Sequence, residues 1–229
     1  MGLDPAGAEA LRLSLRVAGL ATVLALPVAL GLAWLLARRD FPGKGLLNAA
    51  ILLPLVLPPV VTGYLLLLAF GRTGPVGRAL EAAFGLVLAF NWTGAVLAAS
   101  VMALPLMVRA LRLAFEAVPP GLEDAAATLG ARPWSVFTTV TLPLIAPGVL
   151  AGAVLGFAKA LGEFGATITF VAAIPGQTMT LPSAIYTELQ VPGGEARAAV
   201  LTLWACAVAV LAVLASEWLA RRMAARVAG

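Results

Sequence analysis

Of the 229 residues, 62% are apolar and 11% charged, against roughly 45–50% and 25% in a soluble domain, and a mean hydropathy of +1.01 excludes a water-soluble globule. There is no histidine and a single cysteine, so His-based catalytic triads, His-ligated metal sites and internal disulfides are excluded as well. The net charge of +4 comes from basic residues in small groups between apolar runs, the arrangement of cytoplasmic loops, and no nucleic-acid partner is expected.

The long uncharged runs predict an all-α polytopic membrane protein, because a span needs about 20 apolar residues. A transmembrane β-barrel would alternate apolar and polar residues, and residues 65–70 are continuously apolar. Residues 17–37 form the first uncharged run, too long for the core of a signal peptide. Residues 45–71 form the second, which contains Pro54, Pro58 and Pro59 and is expected to kink. Residues 82–108 form the third. Five transmembrane helices follow, over about residues 13–37, 46–70, 83–108, 143–162 and 198–218. Cys206 lies inside the last of these and is expected to be a small buried packing residue rather than a reactive thiol. Residues 164–187 are also uncharged, but Pro175, Gly176, Gln177 and Pro182 interrupt them and five threonines make them polar. The segment 164–197 is therefore read as an external excursion, in part re-entrant.

Between the third and fourth spans, residues 109–142 form an aqueous loop. It contains Asp124, Ala125 and Ala126, then three residues, Gly130, nine residues, Val140, one residue, Leu142 and Pro143. Glu123 adds a second carboxylate. Residues 123–129 suit a short helix rich in small residues, ended by a glycine able to take positive φ. Small residues also let a partner's backbone come close. The pattern resembles the EAA loop of ABC-importer permeases, with Asp124 in the Glu slot and Val140 in the Ile slot. The resemblance implies that this helix docks on a separate ABC ATPase, which holds the ATP and Mg, while this chain binds no cofactor and is not an enzyme. Its own sequence has no phosphate-binding loop: at Gly43-Lys44-Gly45 the hydroxyl is missing, and Arg38 stands where the first glycine belongs.

A second pattern follows the fourth span: Gly162, Glu163, Phe164, Gly165, Ala166, Thr167, Ile168, Thr169 and Phe170, then Ile174-Pro175-Gly176-Gln177-Thr178 and Leu181-Pro182-Ser183-Ala184-Ile185-Tyr186-Thr187. Lys159 precedes Glu163 by one helical turn, so the two form an i,i+4 pair that either neutralises itself near the interface or fixes the span end where a pathway opens. A tetrahedral oxyanion is better met by hydroxyls and backbone N–H groups than by Glu163. The threonines either supply such groups or satisfy an irregular backbone. With Phe41-Pro42-Gly43-Lys44 and the proline-rich second span, the pattern is similar to the molybdate permease family of bacterial ABC importers, over about residues 11–222. The Gly-Glu-Phe-Gly element is shared with sulfate and thiosulfate permeases.

That resemblance implies the ABC importer permease (MetI-like) architecture in a bacterial inner membrane, set in lipid. It implies a homodimer with a second copy of the chain, two ABC ATPase subunits and an external oxyanion-binding protein. The cargo is molybdate, with tungstate expected too and sulfate or thiosulfate the alternative. A secondary transporter would show duplicated halves with matching broken helices, which this sequence lacks. Glu163, Phe164, Gly165, Thr167 and Thr169 are the candidates for an external gate or pathway. With five spans and the N-terminus outside, nine basic residues fall in the inner loops and five outside, which leaves the C-terminus cytoplasmic. A reporter fused after Arg222 is accordingly expected in the cytoplasm and one near Gly194 outside; a cytoplasmic signal at Gly194 would overturn this topology.

Overall fold

Asp4 opens the first helix. Its carboxylate accepts from the Gly7 N–H at 2.8 Å, Pro5 occupies the first helical position, where its missing N–H costs nothing, and α1 (Pro5–Arg38) runs on for 34 residues. These features come from a computed structural model, which describes residues 2–227. Ala10, Ser14, Ala18, Ala21, Ala25, Ala29 and Ala33 recur every three or four residues along α1 and are all buried. They meet α5 (Trp92–Ala117), which presents Ala95, Ala98, Ala99 and Ala103. Small residues on both sides let the two backbones approach, the usual way helices associate where lipid removes the hydrophobic drive. α8 (Leu142–Leu161) completes a three-helix core. Leu36, Met107, Leu111, Phe115 and Ile145 fill one end of it, and Val17, Met102, Leu161 and Phe170 fill the other.

The second uncharged run is two helices. α2 (Lys44–Val56) and α3 (Pro59–Phe70) meet at an angle of 113° across Leu57 and Pro58. Two consecutive prolines supply no N–H to continue the ladder, so the expected kink becomes a full break. The α2 end closes through Leu57 N–H to the Leu53 carbonyl, and Val61 and Thr62 both donate to the Pro58 carbonyl. The third uncharged run is also divided. α4 (Pro75–Phe84) stops at Gly85, where φ is +66°. α5 begins only at Trp92, after Asn91 has capped it by accepting from the Thr93 N–H.

At the other side of the chain, residues 109–117 are the last turns of α5. α6 (Pro120–Thr128) then crosses the bundle end. α7 (Pro133–Val136) leads through a π-helical turn (Phe137–Thr141) into α8. Pro143 lacks an N–H, and Leu142 reaches back five residues to the Phe137 carbonyl. α9 (Gly165–Phe170) and α10 (Leu181–Leu189) are too short to span and lie between α8 and α11 (Glu195–Val227). Among the described residues, four helices or helix runs are long and apolar enough to cross a membrane, and the bent pair α2/α3 makes a fifth if it is one span. Apolar side chains such as Val23, Leu24, Leu203 and Leu211 face outward, as a lipid-exposed surface requires, and Cys206, expected to be buried, is exposed on α11 as well.

α3 and α9 pack backbone to backbone. A Cβ on Gly63 would lie 2.6 Å from the Ala166 carbonyl oxygen, whereas one on Gly19 meets open space. Gly63→Val is therefore expected to destabilise the purified protein by about 1–3 kcal/mol, and Gly19→Val by about 0.5 kcal/mol or less, measured by thermal unfolding in detergent.

Candidate functional site

α6 is a helix of nine residues rich in alanine, opened by Pro119 and Pro120 and closed by Gly130. Gly130 takes φ +87°. Its N–H bonds to the Ala127 carbonyl at 2.9 Å and the Ala131 N–H to the Ala126 carbonyl at 3.1 Å, so the two bonds of a Schellman motif end the helix. Ala125 and Asp124 are exposed and Ala126 half-buried. Leu129 and Trp134, 89% and 74% exposed, flank the Gly130 turn with Leu122 nearby. The end of α6 thus exposes a large aliphatic side chain and an indole beside small residues.

The two adjacent carboxylates have different environments. Asp124, in the Glu slot of the sequence pattern, is exposed and has no ion pair among the described residues. Glu123 points inward. Its Oε1 accepts from Thr141 Oγ1 at 2.7 Å and from Arg38 Nη2 at 3.2 Å, and the same Arg38 nitrogen donates to the Val118 carbonyl at 3.3 Å. One carboxylate oxygen thus ties α6 to the end of α1 and to the π turn before α8, and Arg38 carries the link on to the end of α5. Side-chain exposures of 15% for Arg38 and 24% for Glu123 keep water from screening the pair fully. Leu142 and Pro143 sit at the start of α8, immediately after Thr141. The sequence marks neither Arg38 nor Thr141 as a partner of Glu123, because no local periodicity pairs residues 85 positions apart.

The other candidate region lies at the far end of α8. Lys159 Nζ and Glu163 Oε2 are 2.6 Å apart, and Glu163 is 3% exposed. The second oxygen of Glu163 accepts from the Ala166 N–H at 3.0 Å and so satisfies one orphan donor at the start of α9. Phe164 packs its ring against Tyr186 with centroids 5.0 Å apart. Gly165 faces Pro59: a Cβ there would come within 2.7 Å of the proline's own Cβ. The fold therefore brings the Gly-Glu-Phe-Gly element against the break in the second span.

The hydroxyls of this region are bonded to the chain itself. Thr169 donates to the Gly165 carbonyl. Thr178 Oγ1 accepts from the Ile174 N–H and donates to the Ala172 carbonyl, while Ser183 donates to the Thr180 carbonyl. Thr167 is buried at 3% exposure. Thr178 thus bonds the irregular backbone between α9 and α10, whereas Thr169 and Ser183 bond carbonyls one helical turn back.

The profile of the family described as binding-protein-dependent transport system inner membrane component matches residues 25–227. The chain is 58% identical to the molybdenum transport system permease protein ModB of Escherichia coli K12 over 93% of each protein. It is 55% identical to ModB of Haemophilus influenzae over 94% of each. Among solved structures, a bacterial alginate ABC transporter in complex with its alginate-bound periplasmic protein superposes with a TM-score of 0.75 at 19% identity, covering 96% of this chain and 80% of that one. The MetNI methionine ABC transporter in an inward-facing form gives 0.68 at 16% identity, covering 95% and 94%. These last two show the fold, and the family match together with the two ModB sequences shows the lineage: the chain belongs to the binding-protein-dependent transport system inner-membrane components.

Proposed function

We propose that this chain is the transmembrane subunit of an ATP-driven importer that carries molybdate, and tungstate with it, from an external binding protein into the cytoplasm. The observation that carries the reading is the likeness to molybdenum permeases along nearly the whole chain. The anchored, outward-facing α6 supports it from the structure. In this reading the chain works as a homodimer. Two ABC ATPase subunits bind ATP and Mg, and each receives one α6 with Leu129 and Trp134 at its edge. The N-terminus is external, the C-terminus cytoplasmic, and the bent pair α2/α3 counts as one of five spans. Glu163, Phe164 and Gly165, held against Pro59, form the outer gate. Membrane vesicles containing the complete complex are expected to accumulate molybdate only when ATP and the binding protein are both present. Uptake driven by a proton or sodium gradient alone would move the chain to another transporter class, and preferential uptake of sulfate would reassign the cargo.

The docking helix gives a paired prediction. Gly130→Leu places a Cβ residue at φ +87°, a cost of about 1–2 kcal/mol, yet among the described residues nothing beyond its immediate chain neighbours lies within 4 Å of the added carbon. The damage should fall on the α6 end and on what docks there. The variant is expected to reach the membrane at normal levels but to lose the ATPase or to hydrolyse ATP without transport, with Asp124→Lys weaker. Normal association and uptake would sink the assignment. Glu123→Ala leaves Arg38 uncompensated and removes a charge-assisted hydrogen bond worth about 1.5–3 kcal/mol. Amide hydrogen exchange across residues 120–128 should then accelerate by about tenfold or more, and Glu123→Gln, which keeps an acceptor, should recover part of the protection.

A further inference from the structure

At the end of the bundle opposite α6, a cavity of about 870 Å³ opens between the first turns of α1, the start of α5 and the loop at residues 175–179. It is large enough to hold a small organic group, and its chemistry is of two kinds. Glu9, Arg12 and Arg16 lie on one face of α1 at spacings of three and four, and all three line the cavity. Neither arginine nor Glu9 is ion-paired among the described residues, although Glu9 and Arg12 are a turn apart. Unpaired charges of both signs thus face the same space, with Asn91 and Gln177 as further polar groups. The remaining wall is apolar and includes Leu13, Phe90 and Met179.

We propose that this cavity seats the headgroup of a phospholipid bearing a phosphate and a primary ammonium. The two guanidiniums take the phosphate, for which their forked donors are suited. The Glu9 carboxylate accepts from the ammonium. A free divalent oxyanion fits less well, because Glu9 would repel it without a cation to offset the charge. The level of the cavity points the same way. Arg16 is the last charge before 21 uncharged residues of α1, so the site lies where that helix enters the bilayer. The Arg16 guanidinium stands 3.8 Å above the Trp92 ring, and an indole at a membrane interface sits at headgroup depth. The apolar wall then receives the glycerol and the first carbons of the acyl chains. The inference needs only that α1 spans the membrane and holds for any transported cargo.

The full-length chain, purified in detergent, would be titrated with phosphatidylethanolamine, phosphatidylcholine and phosphatidylglycerol of identical chains, and retained lipid read by native mass spectrometry. Phosphatidylethanolamine should bind at least tenfold better than phosphatidylcholine, whose quaternary ammonium cannot donate to Glu9. The double variant Arg12→Gln/Arg16→Gln should lose at least tenfold in phosphatidylethanolamine affinity. Glu9→Gln should abolish the preference for the primary amine while phosphatidylcholine binding stays near the wild-type level. All three side chains are exposed, and unchanged melting of the variants separates loss of the site from loss of the fold. Equal retention of the three lipids, or an undiminished preference in Glu9→Gln, would overturn the proposal. So would displacement of the lipid by inorganic phosphate or molybdate at millimolar concentration, which would mark a free-oxyanion site. Wild-type lipid retention in the arginine variant, with weakened hold on the external binding protein, would give the cavity to a protein partner and also overturn it.

Discussion

Glu123 Oε1 is where the aqueous part of the molecule is fastened to the membrane part. The helix that carries it has only nine residues, too short to be stable in water by itself, and its exposed alanines contribute little burial. What fixes its position is one oxygen that accepts from Arg38 and Thr141, with Arg38 also reaching the Val118 carbonyl. These partners belong to the ends of α1 and α5 and to the turn that begins α8, the same three helices that form the core. A displacement of α6 is therefore shared among all of them. Among the described residues Arg38 Nε is buried without a hydrogen-bond partner, so the terminal nitrogen Nη2 carries the attachment on that side.

A different constraint shapes the other end. Within a bilayer every backbone polar group needs a partner, and irregular chain survives only where protein encloses it. The break at Pro58 and Pro59 frees backbone groups, and the chain after Gly162 is irregular as well. Each supports the other by close approach: Gly165 against Pro59, and Gly63 against the Ala166 carbonyl. Glu163 then satisfies the Ala166 N–H and is itself neutralised by Lys159. A carboxylate that is 2% exposed along its side chain is tolerable here because a cation and an N–H donor both reach it.

Hydropathy made the helical membrane class legible, and the Asp124-Ala125-Ala126 to Gly130 spacing marked α6 and its stop. Helix ends were legible only where a residue carries its own mechanism. Gly85 and Asn91 are a stop and a cap inside an uncharged run that hydropathy reads as continuous, so the start of α5 at Trp92 was hidden by counting charges alone. The break at Pro58 was expected as a kink; α3 beyond it bends by 113° and packs against α9, a contact that no local pattern encodes. The same holds at α6. The motif drew attention to Asp124, whereas the inward contacts belong to Glu123, because which of two neighbouring carboxylates faces the bundle depends on where Arg38 and Thr141 lie in space.

α8 is the element common to both regions. Its 20 residues amount to a rod of about 30 Å at 1.5 Å per residue. At its start stand Pro143 and the π turn, with Thr141 bonded to Glu123; at its end stands Lys159, bonded to Glu163. Along the way Gly156 leaves the hollow that the buried Met107 side chain of α5 fills, and Gly152 lies against Leu111. A large side chain seated in a glycine hollow fixes the register of the two helices, because it must be repacked before they can slide. The π turn adds a register that can relax at the end nearest α6, since its wider hydrogen bonds are already one residue out of α-helical phase. One helix thus carries at its two ends the hydrogen bonds to Glu123 and to Glu163, through Thr141 just before its first turn and Lys159 in its last.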